Sequence, residues 1–369
     1  MLIILLSFLI SLGLVAFMLP RVLILSLRKR LVDPIDPRKV HSVPASRLGG
    51  LTFFPSLFFS LWFCISLTHL THSIFGFEIE LDVRLIMESL ALLALFMIGV
   101  YDDILGVKYR QKFVVQIFAA ILIIASGTYF NTLHGLFGIE SVSPYIGIPI
   151  TLFIYVFVTN AINLIDGIDG LASLLSIMAL VVYGILFYSN GQLSDAIFAF
   201  STMGVLVPFC YLNVFGVKRG AGSKIFMGDT GALVIGAILG FMAVKIWNIS
   251  FSEDAVTPIS SLYYILAYTM LLVPGFDVAR IILHRYRDHK PLFLPDKNHI
   301  HHKFMALGCT ARVALAWIIA INIFFVSVNL ALSFWLNLLT IIVIDIVLWT
   351  LIHLYITSLI KKHNAAKSN

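Results

Sequence analysis

The chain has 369 residues, of which 60% are hydrophobic and 12% charged, with a formal net charge of +6. So much apolar content with so little charge excludes an ordinary soluble domain and points to a polytopic membrane protein. Three cysteines, Cys64, Cys210 and Cys309, supply neither a disulfide framework nor a zinc pattern.

A bilayer crossing takes about 20 apolar residues. Taken in order, the apolar runs predict eleven spans, at 1–27, 48–70, 85–101, 112–131, 146–162, 171–188, 194–213, 228–247, 258–283, 312–333 and 336–359. The first run has no basic leader and no small-residue cleavage site before Arg21, so it is expected to be a retained span. The expected fold class is all-α: one transmembrane helical bundle over 1–369, with no solenoid repeat, low-complexity tract or Pro/Ser-rich linker.

Lys and Arg mark the cytoplasmic loops. With the N-terminus outside and the C-terminus cytoplasmic, 23 of the 25 fall inside. The two exceptions are Arg84 and Lys245, whereas Glu78, Glu80, Asp82, Glu140, Glu253 and Asp254 lie in the opposite loops. The positive charge is then a rim against the membrane surface rather than a nucleic-acid site.

On the same placement, five polar clusters share the cytoplasmic side: KVHSVPASRLGG (39–50), YDDILGVKYRQK (101–112), NAINLIDGIDGL (160–171), KIFMGDTGA (224–232) and RDHKPLFLPDKNHIHHKF (287–304). They fall in or beside expected catalytic loops near 28–47, 102–112, 163–170, 214–227 and 284–311. Asp102, Asp103, Asp166, Asp169 and Asp229 put five carboxylates at one membrane boundary, where an ionised group is costly unless it pairs or binds an ion. Each taken singly also reads as a helix cap. Together, beside basic residues, they suit Mg²⁺ and a nucleotide diphosphate. Gly167, Gly170, Gly228 and Gly231 would let backbone amides approach a phosphate, although glycines are common in membrane helices anyway.

Lys112 opens the fourth span, at a height from which it can reach a lipid phosphate; an ordinary basic flank is the plainer reading. His299, His301 and His302, with His289, Lys290, Lys297 and Lys303, offer donors for a diphosphate or sugar. A zinc site or a merely solvated basic loop would use the same residues, but there is no cysteine partner and no HExxH helix.

The ordered set DDILGVKYRQK, NAINLIDGIDGL, KIFMGDTG and PDKNHIHH, spread over about residues 33–304, resembles the bacterial polyprenyl-phosphate N-acetylhexosamine-1-phosphate transferases. These share a superfamily with the phospho-MurNAc-pentapeptide translocase. The resemblance implies transfer of GlcNAc-1-phosphate, or a related HexNAc-1-phosphate, from the UDP-sugar to undecaprenyl phosphate. UMP would leave and a cell-surface polysaccharide, such as an O-antigen, lipopolysaccharide or teichoic acid, would begin. The enzyme would be multi-pass in the bacterial inner membrane with its site on the cytoplasmic face.

By the same resemblance Asp229 and Asn163 are the expected ligands of Mg²⁺, with Mn²⁺ as the alternative. Asp102 or Asp103 would contact or deprotonate the lipid phosphate held by Lys112, and Asp166 and Asp169 would surround the nucleotide-sugar. His41, Asn160, Asn163, Arg287, His299, His301 and His302 are the expected substrate contacts. Ala232 stands where the family usually has Ser, which removes one secondary hydrogen bond. Direct in-line transfer and a two-step route through an aspartyl-phosphate are both open. The expected partners are the lipid carrier, the UDP-sugar, the membrane and a second copy of the chain, and no nucleic acid. A pentapeptide donor is the nearest alternative. A secondary transporter, which would carry broken helices and charges near the midplane, is the rival from another class.

Overall fold

A computed structural model describes residues 1–29, 31–33, 45–70, 82–216, 224–249, 258–289 and 298–368. Helix dominates. In chain order run α1 (Leu2–Arg28), α2 (Phe53–Leu70), α3 (Val83–Leu105), α4 (Tyr109–Ala125), α5 (Pro144–Ile165), α6 (Leu171–Ser189) and α7 (Leu193–Phe215). They are followed by α8 (Gly228–Trp247), α9 (Pro258–Thr269), α10 (Leu272–Arg287), α11 (Ile300–Ala306), α12 (Ala311–Leu332) and α13 (Leu338–Ser368). A 3₁₀ turn, Leu48–Thr52, leads into α2. Two short antiparallel pairs complete the elements: β1 (Val32–Asp33) with β2 (Ala45–Ser46), and β3 (Thr132–Leu136) with β4 (Ile139–Ser141).

Among the described residues nine helices are long and apolar enough to cross a membrane, or ten if α9 and α10, bent by 53° at their junction, make one broken span. The remaining predicted span, 112–131, corresponds to the 17-residue α4. At 1.5 Å per residue it is about 26 Å long, somewhat short of a ~30 Å hydrocarbon core. Where the sequence predicts that span to continue, the chain leaves the helix through Gly127, at a φ of 91°, and enters the β3–β4 hairpin.

Helix α8 is the axis of the bundle. Its sequence GDTGALVIGAILGFMAVKIW is apolar on all sides, as a helix surrounded by others must be, and 83% of its most apolar window is buried. Helices α3, α5, α6 and α9 pack around it. Gly236 brings the α5 backbone close: a Cβ there would stand 2.8 Å from the Thr159 Cα, the small-residue contact that lets membrane helices approach. Outside this core, Phe17, Met97, Val114, Phe153, Leu283 and Leu354 are exposed, an apolar exterior suited to lipid tails.

Candidate active site

Four elements meet at the start of α8. Asp102 and Asp103 end α3, Lys112 lies in the first turn of α4, Asn163 is in the last turn of α5, and Asp229 is in the first turn of α8. The Lys112 ammonium donates to Asp102 Oδ2 at 2.9 Å and also to Asp229 Oδ2. Asn163 Nδ2 donates to Asp229 Oδ1 at 3.1 Å. One carboxylate oxygen from each of Asp102, Asp103 and Asp229 lies within 4.8 Å of the others, the group among the described residues fit to hold a metal ion. Lys112 is 23% exposed, so the group opens to solvent while its stem is covered.

Asp103 differs from its neighbour. Its Oδ1 accepts the Asp229 N–H at 2.9 Å, and its Oδ2 accepts the Thr230 N–H at 2.9 Å and the Thr230 hydroxyl at 2.6 Å. These are orphan donors at the first turn of α8, so Asp103 caps that helix from across the bundle. The approach requires glycine at 228, whose φ is 66° and where a Cβ would lie 2.5 Å from Asp103 Oδ2. Asp102 turns the chain instead: its Oδ1 accepts the Val107 N–H at 2.6 Å and fixes the turn that delivers Lys112.

The other motifs converge on this end. Ser46 bonds along residues 224–226, with Ser46 N–H to Lys224 O at 3.2 Å and Phe226 N–H to Ser46 O at 2.7 Å. Lys224 pairs with Asp169 at 2.8 Å. Asn213 ties the same two segments, accepting the Gly170 N–H at 2.6 Å and donating to Ile225 O at 2.8 Å. At Gly167 a Cβ would lie 2.3 Å from His301 Nε2, so the absence of a side chain there seats the histidine segment against the DGIDG loop. Gly231 also serves packing, with Gly50 and Phe53 against it.

The histidine segment is held by a residue the sequence did not single out. Asp277, fully buried in α10, takes His299 Nδ1 at 2.8 Å, the Ile300 N–H at 3.1 Å and Arg280 at 3.1 Å. A lone acid inside LLVPGFDVAR carries no spacing signal; only its presence in an apolar run could have flagged it. His299 and His301 stack with centroids 5.7 Å apart, and His302 lies 4.2 Å from His301. Burial, then the neighbouring His302 and His299, push the His301 imidazole down to about 3, so it is neutral at physiological pH. Burial, with the charges of Asp169 and Asp229 behind it, pushes the Asp166 carboxyl up to about 7.

Two expected contacts lie apart from this group, and one lies outside the described residues. Asn160 exchanges amide hydrogen bonds with Gln116, at 2.6 and 3.3 Å, one turn deeper than the Lys112–Asp229–Asn163 contacts. Arg287 is at the exposed end of α10, with its side chain 79% accessible and set beside His284 and Asp288. His41 falls outside the described residues.

A family model described as glycosyl transferase family 4 matches residues 85–247, which span α3 to α8 and hold Asp102, Asp103, Lys112, Asn163 and Asp229. The chain resembles that family. A Bacillus subtilis (strain 168) protein named "Probable undecaprenyl-phosphate N-acetylglucosaminyl 1-phosphate transferase" is 28% identical over 92% of this chain and 88% of its own length. The undecaprenyl-phosphate alpha-N-acetylglucosaminyl 1-phosphate transferase of Yersinia pestis is 29% identical over 78% of this chain and 73% of its own. The protein of that name from Escherichia coli (strain K12) is 28% identical over 78% and 72%. The resemblance read from the four motifs thus extends over most of the chain.

Proposed function

We propose that this protein transfers a HexNAc-1-phosphate, GlcNAc-1-phosphate first, from the UDP-sugar to undecaprenyl phosphate at the cytoplasmic face of the bacterial inner membrane. UMP is released and a cell-surface polysaccharide is begun. The observation that carries this reading is Lys112, bridged between Asp102 and Asp229 at a helix start that also presents Asn163. With a divalent cation on the carboxylates, Lys112 would complete a place where two phosphate anions can meet. The relatives' names supply the acceptor and the sugar.

Attack by an oxygen of the lipid phosphate on the sugar-bearing β-phosphorus forms one P–O bond and breaks the bond to the bridging oxygen, which leaves with UMP. Lys112 lies where it can exchange its carboxylate partners for the incoming lipid phosphate. Mg²⁺ fits the donor set: Asp229 and Asp102 offer the one or two carboxylates it takes, and Asn163 carries an amide oxygen beside them. When bound, the ion offsets the negative charge of the two phosphates. Asp103, with three donors on its carboxylate, orients Asp229 by holding the start of α8. That leaves Asp102 as the carboxylate for a two-step variant; the direct transfer needs no nucleophile from the chain.

The bent α9–α10 pair and the fully buried Asp345 of α13 are features of the kind the transporter reading calls for. A single assay separates the two. Purified protein is given undecaprenyl phosphate and radiolabelled UDP-GlcNAc or UDP-MurNAc-pentapeptide, with and without Mg²⁺, as wild type and Asp229→Asn. Mg²⁺-dependent label in the lipid from UDP-GlcNAc, lost in the variant, is the expected result. Label from the pentapeptide donor alone would move the protein to the other branch. No lipid label from these or other UDP-HexNAc donors would overturn the transferase reading.

A further inference from the structure

A second polar centre lies far from the carboxylate group, outside the residues the family model matches. At the break between α9 and α10, Asn329 Nδ2 of α12 donates to Asp345 Oδ2 of α13 at 2.8 Å and to the Thr269 hydroxyl at 3.0 Å. Thr269, Asn329 and Asp345 are each 0% exposed. Tyr268 precedes Thr269 at the end of α9. Asp345 Oδ1, Asn329 Oδ1 and the Tyr268 hydroxyl are all buried without a hydrogen-bond partner among the described residues. Asp345 makes no ion pair with any described residue.

The position makes this arrangement costly. Asp345 is seven residues into α13, about 10 Å along the helix from the end opposite the carboxylate group. Ile265, Leu338 and Ile341 form a buried apolar cluster at that end. An unpaired carboxylate at such depth persists when something neutralises it, and an acid inside a span is by default a functional group. The donors left over are all oxygen, which selects a hard cation over a transition metal. They include one carboxylate and no second charge, which matches a single positive charge. The site also lies at a helix break, the kind of place where membrane proteins hold Na⁺ within the bilayer.

We propose that Asp345, Asn329, Thr269 and Tyr268 form a site for one small monovalent cation of the Na⁺ class, separate from the carboxylate group at the other end of the bundle. The site depends on no assumption about sugar or lipid. Its purpose is to fix the bent α9–α10 pair against α12 and α13, and so to set where Asp277 presents the histidine segment.

The test is equilibrium binding of ²²Na⁺ to the purified full-length chain in detergent, with unlabelled NaCl or choline chloride as competitor. The expected result is about one saturable ²²Na⁺ per chain, displaced by NaCl and not by choline, retained in Asp229→Asn and lost in the isosteric Asp345→Asn. Melting curves at constant ionic strength give a second readout. Replacing choline by Na⁺ should raise the Tm of wild type saturably and leave that of Asp345→Asn unchanged. Absence of saturable binding to wild type overturns the site without reference to any variant. So does binding that survives Asp345→Asn and vanishes in Asp229→Asn, as does a Tm of wild type that is the same in both salts.

Discussion

Two lysines in this bundle sit between two carboxylates, at opposite ends of α8. Lys112 joins Asp102 and Asp229 where its side chain is 23% exposed. Lys245 joins Glu88 at 2.5 Å and Asp195 at 2.6 Å, with Glu88 fully buried. Beside it a cavity of about 320 Å³ is lined by Asp195, Gln192, Asn190 and Asn131. The same three charges therefore do different things. Lys112 is exposed enough to trade a carboxylate partner for another anion, whereas Glu88, with no exposed surface of its own, is held in place by Lys245, and breaking that pair is costly.

Lys112→Met should lower the transfer rate by about 10²-fold or more, the scale of losing one transition-state donor, and leave the Tm nearly unchanged. Lys245→Met should do the reverse. It strands two buried carboxylates and should cost about 3–5 kcal/mol, read as a lower Tm, while the molecules that stay folded retain their rate. If Lys245→Met abolished turnover without lowering the Tm, the two triads would not be different in kind. The sharper form replaces the whole covered triad, Glu88→Gln, Lys245→Met and Asp195→Asn, which should recover much of the Tm lost in the single variant.

Asp103→Ala removes a cap rather than a reacting group, so a stability loss of about 0.5–2 kcal/mol should accompany any fall in rate, and Asp103→Asn should restore part of both. Smaller still is the pH effect of His301. Its folded value of about 3 lies below its ordinary 6.5, so its contribution to stability is full above pH 6.5 and is lost as the pH falls toward 3. Melting curves of wild type should therefore slope downward on acidification below 6.5, and His301→Gln should flatten that slope. Asp166 acts in the opposite sense: raised from 3.8 to about 7, its contribution is full below 3.8 and is lost as the pH rises through 7. Arg287→Ala, at an exposed helix end, should change the Tm by less than the assay resolves, on the order of 0.5 kcal/mol.

The helices were legible because a bilayer demands long apolar runs, and each predicted span has a helix or a bent pair in its place. The β3–β4 hairpin was not. TLHGLFGIES lacks the alternation of a strand, and its turn depends on left-handed residues, Phe137 at a φ of 55° and Gly138 at 75°. At the site, spacing put Asp102, Asp103 and Lys112 together but gave no means of separating a helix cap from a carboxylate open to substrate. That difference lies in the Thr230 and Asp229 donors, 127 and 126 residues further along the chain. Lys245 was an exception to the charge rule on sequence grounds, and the two acids that account for it are Glu88 and Asp195, from helices remote in sequence.

The long reach of the Asp103 cap bears on how the protein is made. Asp103 leaves the ribosome 126 residues before Asp229. At 5–20 residues per second, the end of α3 waits roughly 6–25 s in the membrane with its acid pair unmatched by the helix it will hold. Anything that closes the bundle early, before α8 arrives to fill its axis, would bury those acids without their amides. Biogenesis of this chain is therefore most exposed to the insertion machinery during synthesis of residues 104–229, and a translational pause placed there would lengthen that exposure.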